Sequence, residues 1–236
     1  MSMQKTIAFL ALISLAGLEP YARGQDISTK GSIVLSTHEV DMKPNNIYSI
    51  KIEGKGFQPR VVMMPAALPF VQQDFRKPFI FQNYYVATQD QKNTVVVLPE
   101  LFGLKGKGPY EYSFEVKAIA LGAELLNVKD TLNANDPPFK AEFFNRTRHK
   151  SYVLKVKAGS FYVIDMKEPK RANLDSYLIL VDSKGKVVKS DDDSGGFPNA
   201  RIIFHATEDG EFRIIATGLG QAQGDFILTV RSTDKK

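Results

Sequence analysis

The chain contains no cysteine. That excludes a disulfide framework, a thiolate nucleophile and thiolate zinc ligation, and it leaves no residue to carry an N-terminal lipid. Histidine is nearly as scarce. His38, His149 and His205 are isolated, with neither the His-x-His nor the His-x-x-x-His spacing that suggests zinc. There is no Gly-x-Ser-x-Gly elbow, no P-loop and no dinucleotide fingerprint. Long apolar runs are missing too: the most extended, Ile7 to Leu18, is shorter than the ~20 residues that cross a bilayer. Lys5 precedes that run and the small-x-small site Ala22-Arg23-Gly24 follows it. Residues 1–24 therefore read as a signal peptide, with the mature chain beginning near Gln25, secreted or periplasmic and without a membrane span.

No sign of charge dominates. The formal charge is +5, and +4 without the Lys5, Glu19 and Arg23 of the leader. The lysines are scattered (Lys51, Lys55, Lys92, Lys105, Lys155, Lys184, Lys189) rather than gathered in a stripe, which suits solvated faces and argues against nucleic acid.

What the chain does have is short β-type runs. Tyr48-Ile52, Val61-Met64, Phe79-Ala87, Thr94-Leu98 and Tyr110-Val116 form one series. Tyr152-Val156, Phe161-Met166, Tyr177-Val181, Lys186-Lys189, Ala200-His205, Glu211-Ala216 and Asp225-Val230 form another. Turn signals separate them, among them Pro44-Asn45-Asn46 and Ser183-Lys184-Gly185, with Gly185 and Gly210 at positions that call for positive φ. Only Leu68 to Arg76 fits a helical turn or two. Strands with turns every ~8–12 residues indicate an all-β sandwich class.

The two series run parallel. Ile47-Tyr48-Ser49-Ile50-Lys51-Ile52 then Val61 to Met64 matches Phe161-Tyr162-Val163-Ile164-Asp165-Met166 then Tyr177 to Leu180. Val95 to Leu98 matches Arg201 to Phe204, and Gly108 to Val116 matches Gly224 to Val230. A period of that length is a duplicated domain rather than a solenoid, whose repeats are about 20–50 residues. The expected organisation is two tandem antiparallel sandwich domains, residues 25–118 and 136–236, joined by a linker over 119–135.

In the second copy, Lys157 to Met166, Leu174 to Gly185, Asp191-Asp192-Asp193-Ser194-Gly195-Gly196 with Asn199-Ala200-Arg201-Ile202, Asp209 to Ile214 and Gly224 to Val230 occur in order. This succession resembles the bacterial pre-peptidase C-terminal domain family across residues 136–231. Residues 31–117 resemble a degenerate copy, which lacks the acidic run and carries an insertion around Leu68 to Asn83. The resemblance implies a jelly-roll-like sandwich, an accessory module found beside secreted proteases or on bacterial surface proteins. Some relatives among collagenase modules bind calcium.

Asp191, Asp192 and Asp193 repel one another. Three adjacent carboxylates suit either a hard cation such as calcium or a solvated turn whose Asp side chains cap backbone amides. The spacing is not that of an EF-hand loop. Asp193-Ser194-Gly195-Gly196 with His38 upstream has the order of a chymotrypsin-like triad. However, Asp192 stands where that motif has Gly, and the two residues fall in different copies. No set of acid, base or nucleophile assembles. The reading is an exported, non-catalytic binding or scaffold protein contacting an envelope or extracellular protein or polysaccharide. The alternatives are an assembly partner rigidified by calcium, and a hydrolase with an unrecognised site.

Overall fold

The computed structural model describes residues 27–33, 36–64, 80–99, 110–122, 124–141, 144–169, 174–220 and 222–234. The signal peptide expected over residues 1–24, most of the run from Leu68 to Asn83 and the helical turns expected at Leu68 to Arg76 lie outside them. Every element among the described residues is a strand. The first seven are β1 (Ile27–Ile33), β2 (Ser36–Met42), β3 (Asn46–Gly54), β4 (Pro59–Met64), β5 (Ile80–Val86), β6 (Gln91–Pro99) and β7 (Tyr110–Ala120). Nine more follow: β8 (Glu124–Leu132), β9 (Pro138–Ala141), β10 (Phe144–Val156), β11 (Phe161–Lys167), β12 (Ser176–Val181), β13 (Val187–Asp191), β14 (Ala200–His205), β15 (Gly210–Gly218) and β16 (Gly224–Ser232).

They form four antiparallel sheets in two pairs. The order β1-β7-β3-β5 faces β2-β6-β4, and β14-β11-β16-β8 faces β13-β12-β15-β10-β9. The period of two decides which side chains enter each core. On β3, Tyr48, Ile50 and Ile52 point inward with Phe114 and Val116 of β7 and Val95 and Val97 of β6, while Ser49, Lys51 and Glu53 point out. On β11, Tyr162, Ile164 and Met166 join Leu178, Leu180, Ile214, Phe226 and Leu228 in a second core. At ~25 cal/mol per Å² of apolar area removed from water, such interiors can hold a fold that has no covalent staple.

The two pairs share one connectivity. The order β1-β7-β3-β5 corresponds to β8-β16-β11-β14, and β2-β6-β4 to β10-β15-β12, with β9 and β13 added at the two edges of the five-stranded sheet. Register agrees in detail: Tyr48 lies opposite Tyr85 and Ala118, and Tyr162 opposite Phe204 and Ser232. Both tyrosine hydroxyls accept a backbone N–H from five residues upstream, Lys43 at 2.6 Å and Lys157 at 2.8 Å. The topology also corrects one correspondence expected from sequence. Val95 to Leu98 (β6) occupies the place of β15, and it is β5 that corresponds to β14.

Residues 119–135 are not an open linker: they hold the end of β7 and all of β8, which pairs with β16 from Leu126 to Leu132. β8 is an edge strand with one face in water, so its run of mixed polar and apolar residues gains its conformation from pairing rather than from composition. Gly185 has φ 80°, as its turn requires, but Gly210 does not have positive φ and instead begins β15 opposite Val156.

The pairs meet through equivalent outer faces. Ile47, Val86, Tyr84, Ile119 and Leu121 of the first pack against Phe161, Val163 and Ile203 of the second. Asn45, in the left-handed region at φ 63°, accepts Leu121 N–H on its carbonyl and Arg231 Nη1 on its side-chain oxygen at 2.8 Å. Asn tolerates that conformation better than most residues. Gly122 N–H bonds Ser232 O at 2.7 Å.

Candidate functional site

The acidic turn leaves β13 at Asp191. That carboxylate accepts the Ser194 N–H at 2.9 Å and the Arg201 N–H at 2.7 Å on Oδ1, and the Ser194 hydroxyl on Oδ2. Burial, with the neighbouring charge of Asp192, holds Asp191 above its ordinary range against the pull of these donors. Desolvation and then the charges of Asp192, Asp175 and Asp191 also raise Asp193. A Cβ on Gly195 would stand 2.7 Å from the Asn199 carbonyl, and Gly196 has φ 94°. Asn199 donates to Gly196 O at 2.8 Å and accepts the Glu168 N–H at 2.9 Å. The motif residues thus close the turn on itself. Asp191, Asp192 and Asp193 are not gathered as ligands: among the described residues no group of three His, Cys, Asp or Glu side chains is arranged to hold a metal ion.

The same turn reaches the open edge of β14. Arg201 N–H and Ile203 C=O face away from β11; Asp191 takes the first and Lys189 Nζ the second, at 2.9 Å. Filling an edge strand's donor and acceptor with side chains blunts it against further pairing.

His38 and Ser194 belong to different sheet pairs, and each is engaged locally. The His38 Nε2 lies 2.7 Å from the Tyr112 hydroxyl, and its ring stacks on Phe114 at 3.9 Å. Burial lowers its pKa to about 4. His149 sits in β10 with Nδ1 2.9 Å from Pro137 O and its ring edge-on to Phe139. His205 stacks on Phe161 at 4.3 Å. All three imidazoles rest on aromatic rings.

A different place offers a cavity. On the outer face of β3, β5 and β7, cross-strand register sets Lys51 between Gln82 and Glu115, and Ser49 between Tyr84 and Lys117. Ser49, Lys51, Gln82, Glu115 and Lys117 line an open cleft of about 210 Å³. Lys117 pairs with Glu115 at 2.6 Å and Lys51 with Glu53 at 3.4 Å. Gln82 Nε2 donates to the Tyr84 hydroxyl at 3.1 Å. The Tyr84 ring lies against Phe161 of the second pair at 4.8 Å, so the cleft adjoins the junction. Sequence reasoning passed over these residues, because alternating Ser, Lys and Glu on a strand reads as a solvated face until cross-strand neighbours are known. The equivalent face of the second pair is covered. There Asp165 and Arg201 stand where Lys51 and Gln82 do, and form a buried ion pair at 2.6 Å with Arg201 Nη1 donating to Val86 O at 3.1 Å.

No family model matches the chain, and no curated protein matches it. Among solved structures it is similar to a chain of "Structure of infectious bursal disease virus Gt strain", with 9% identity over 94% of this chain and 75% of that one. The TM-score is 0.21, a level of likeness that carries no argument about fold or function.

Proposed function

We propose an exported, non-catalytic binding or scaffold protein, built of two tandem jelly-roll-like domains, that contacts an envelope or extracellular partner. Lys5, the apolar run to Leu18 and the Ala22-Arg23-Gly24 site support export. The order β8-β16-β11-β14 against β10-β15-β12-β13 supports the jelly-roll reading, which comprises eight strands in two Greek keys. Five ordered motifs support kinship of the second copy with the pre-peptidase C-terminal domain family.

The observation that carries the binding reading is the outer-face cleft. It presents ammonium, carboxylate, hydroxyl and amide groups side by side, and its exposed ion pairs are worth little on their own, so they exchange readily for a partner's charges. Its aromatic neighbour Tyr84 is occupied by Phe161 and is not free as a sugar-stacking platform. That favours a protein surface of mixed charge over a polysaccharide. The test is capture from envelope extract and on insoluble polysaccharides, by the mature protein and by a Lys51→Glu/Lys117→Glu variant with an unchanged melt. Loss of a defined protein partner in the variant supports the reading. Equal capture by both proteins moves the site elsewhere, and retention on polysaccharide alone changes the ligand class.

A further inference from the structure

The geometry points to the acidic turn as the brace of a latch that fixes the two sheet pairs relative to each other: Asp191 holds the β14 backbone at Arg201, and the Arg201 guanidinium, steadied by Asp165, grips the Val86 carbonyl of the first pair. The parts are continuous. Asp191 Oδ1 accepts the Arg201 N–H at 2.7 Å, so the turn fixes Arg201 from the open edge of β14. That amide faces away from β11, which makes Arg201 and Asp165 a non-hydrogen-bonded cross-strand pair, the closer of the two antiparallel arrangements. The guanidinium therefore meets the carboxylate across the strands at 2.6 Å and extends to Val86 O at 3.1 Å.

Arg201 and Asp165 are 5% and 2% exposed, so neither exchanges its partner for water. Val86 is the register partner of Ile47, in the middle of the apolar contact between the pairs. On the other side of Val163, Arg231 reaches Asn45 Oδ1, but at an exposed position. Two arginines thus flank one apolar contact. Only the buried one is tied back by a carboxylate on its side chain and another on its backbone. Arg231–Asn45 and the Leu121–Gly122 backbone bonds hold one side of the apolar contact, and the latch adds a buried point on the other side that opposes rotation. Asp191 is a positioning residue here, and acts only through Arg201.

The absence of native cysteine makes the test direct. Cysteines placed at Val62 and Val153, both exposed and on the outer sheets of the two pairs, take a spin-label pair in the full chain, and electron–electron distances report the angle between pairs. The parent gives one narrow distribution. Arg201→Lys keeps the charge beside Asp165 but not the reach to Val86, and Asp191→Ala removes the brace. Each adds a second, displaced population, roughly ten- to a hundredfold above the parent's, as loss of a charge-assisted hydrogen bond implies. Asp191→Asn keeps an acceptor for both amides and restores the narrow distribution. A broad distribution in the parent overturns the latch. So does an unchanged distribution in Arg201→Lys, whose fold is checked by circular dichroism, even if Asp191→Ala does not fold.

Discussion

Replacing Asp165 with Asn leaves the Arg201 guanidinium inside the protein without its counter-charge. The Asp165 side chain is 2% exposed and the Arg201 side chain 4%, with Nε 2.6 Å from Oδ1. Taking one member out of a buried pair costs about 3–5 kcal/mol, because the remaining charge keeps its desolvation penalty and loses its attraction. At roughly 2–4 °C per kcal/mol for a chain of this size, the melting temperature should fall by about 6–20 °C. Removing both charges, as Asp165→Leu/Arg201→Met, should recover part of the loss. A packed apolar pair often equals a buried ion pair, but Val86 O is then left without its donor, which costs about 1–3 kcal/mol. The assay is a thermal melt followed by circular dichroism and checked for reversibility. A melt for Asp165→Asn within a degree or two of the parent would refute the reasoning, because it would mean that water reaches the pair. A double variant worse than either single variant would equally refute the argument from desolvation.

Tyr48→Phe and Tyr162→Phe each remove the acceptor of a backbone N–H, so each should lower the urea midpoint by about 1 kcal/mol equivalent with an unchanged slope. Tyr162→Phe should cost more, since that hydroxyl also meets Asp234; equal midpoints for all three proteins would dissolve the structural equivalence. His38 has a folded pKa of about 4 against an ordinary 6.5, so the unfolded chain takes up its proton first as pH falls. Stability from this group is complete above pH 6.5 and drains away between about 6.5 and 4; His38→Leu should flatten that window in pH-dependent denaturation, and an unchanged profile would argue against its burial. Because both oxygens of Asp191 already accept hydrogen bonds, millimolar calcium should leave the melt where chelator leaves it; a calcium-specific rise of several degrees would instead make the acidic turn a cation site.

How much of this was present in the linear chain depends on the range of the interaction concerned. The all-β class, the positions of most strands, and the inward set Tyr48, Ile50, Ile52 with Tyr162, Ile164, Met166 follow from a period of two and from turn residues, which are local properties. The correspondence of β3 with β11 and of β7 with β16 follows from residue order alone. Pairing between distant strands does not. β8 lacks a strong strand composition and exists because β16 lies beside it, and β6 resembles β14 as a string of apolar residues while standing in the place of β15. The three aspartates invited a cation because like charges in sequence imply a counter-charge. Only the folded turn brings the Ser194 and Arg201 amides to Asp191 and gives that carboxylate its partners. Likewise Arg201 reads as one strand residue among many until the chain returns with Asp165 beside it and Val86 across the junction. The cleft of Ser49, Lys51, Gln82, Glu115 and Lys117 draws on three strands whose facing residues lie far apart in sequence, and sequence specifies each wall without specifying that the walls meet. Local stereochemistry therefore determined the strands and their faces. Long-range pairing and burial, which depend on which surfaces exclude water together, decided the junction, the latch and the site.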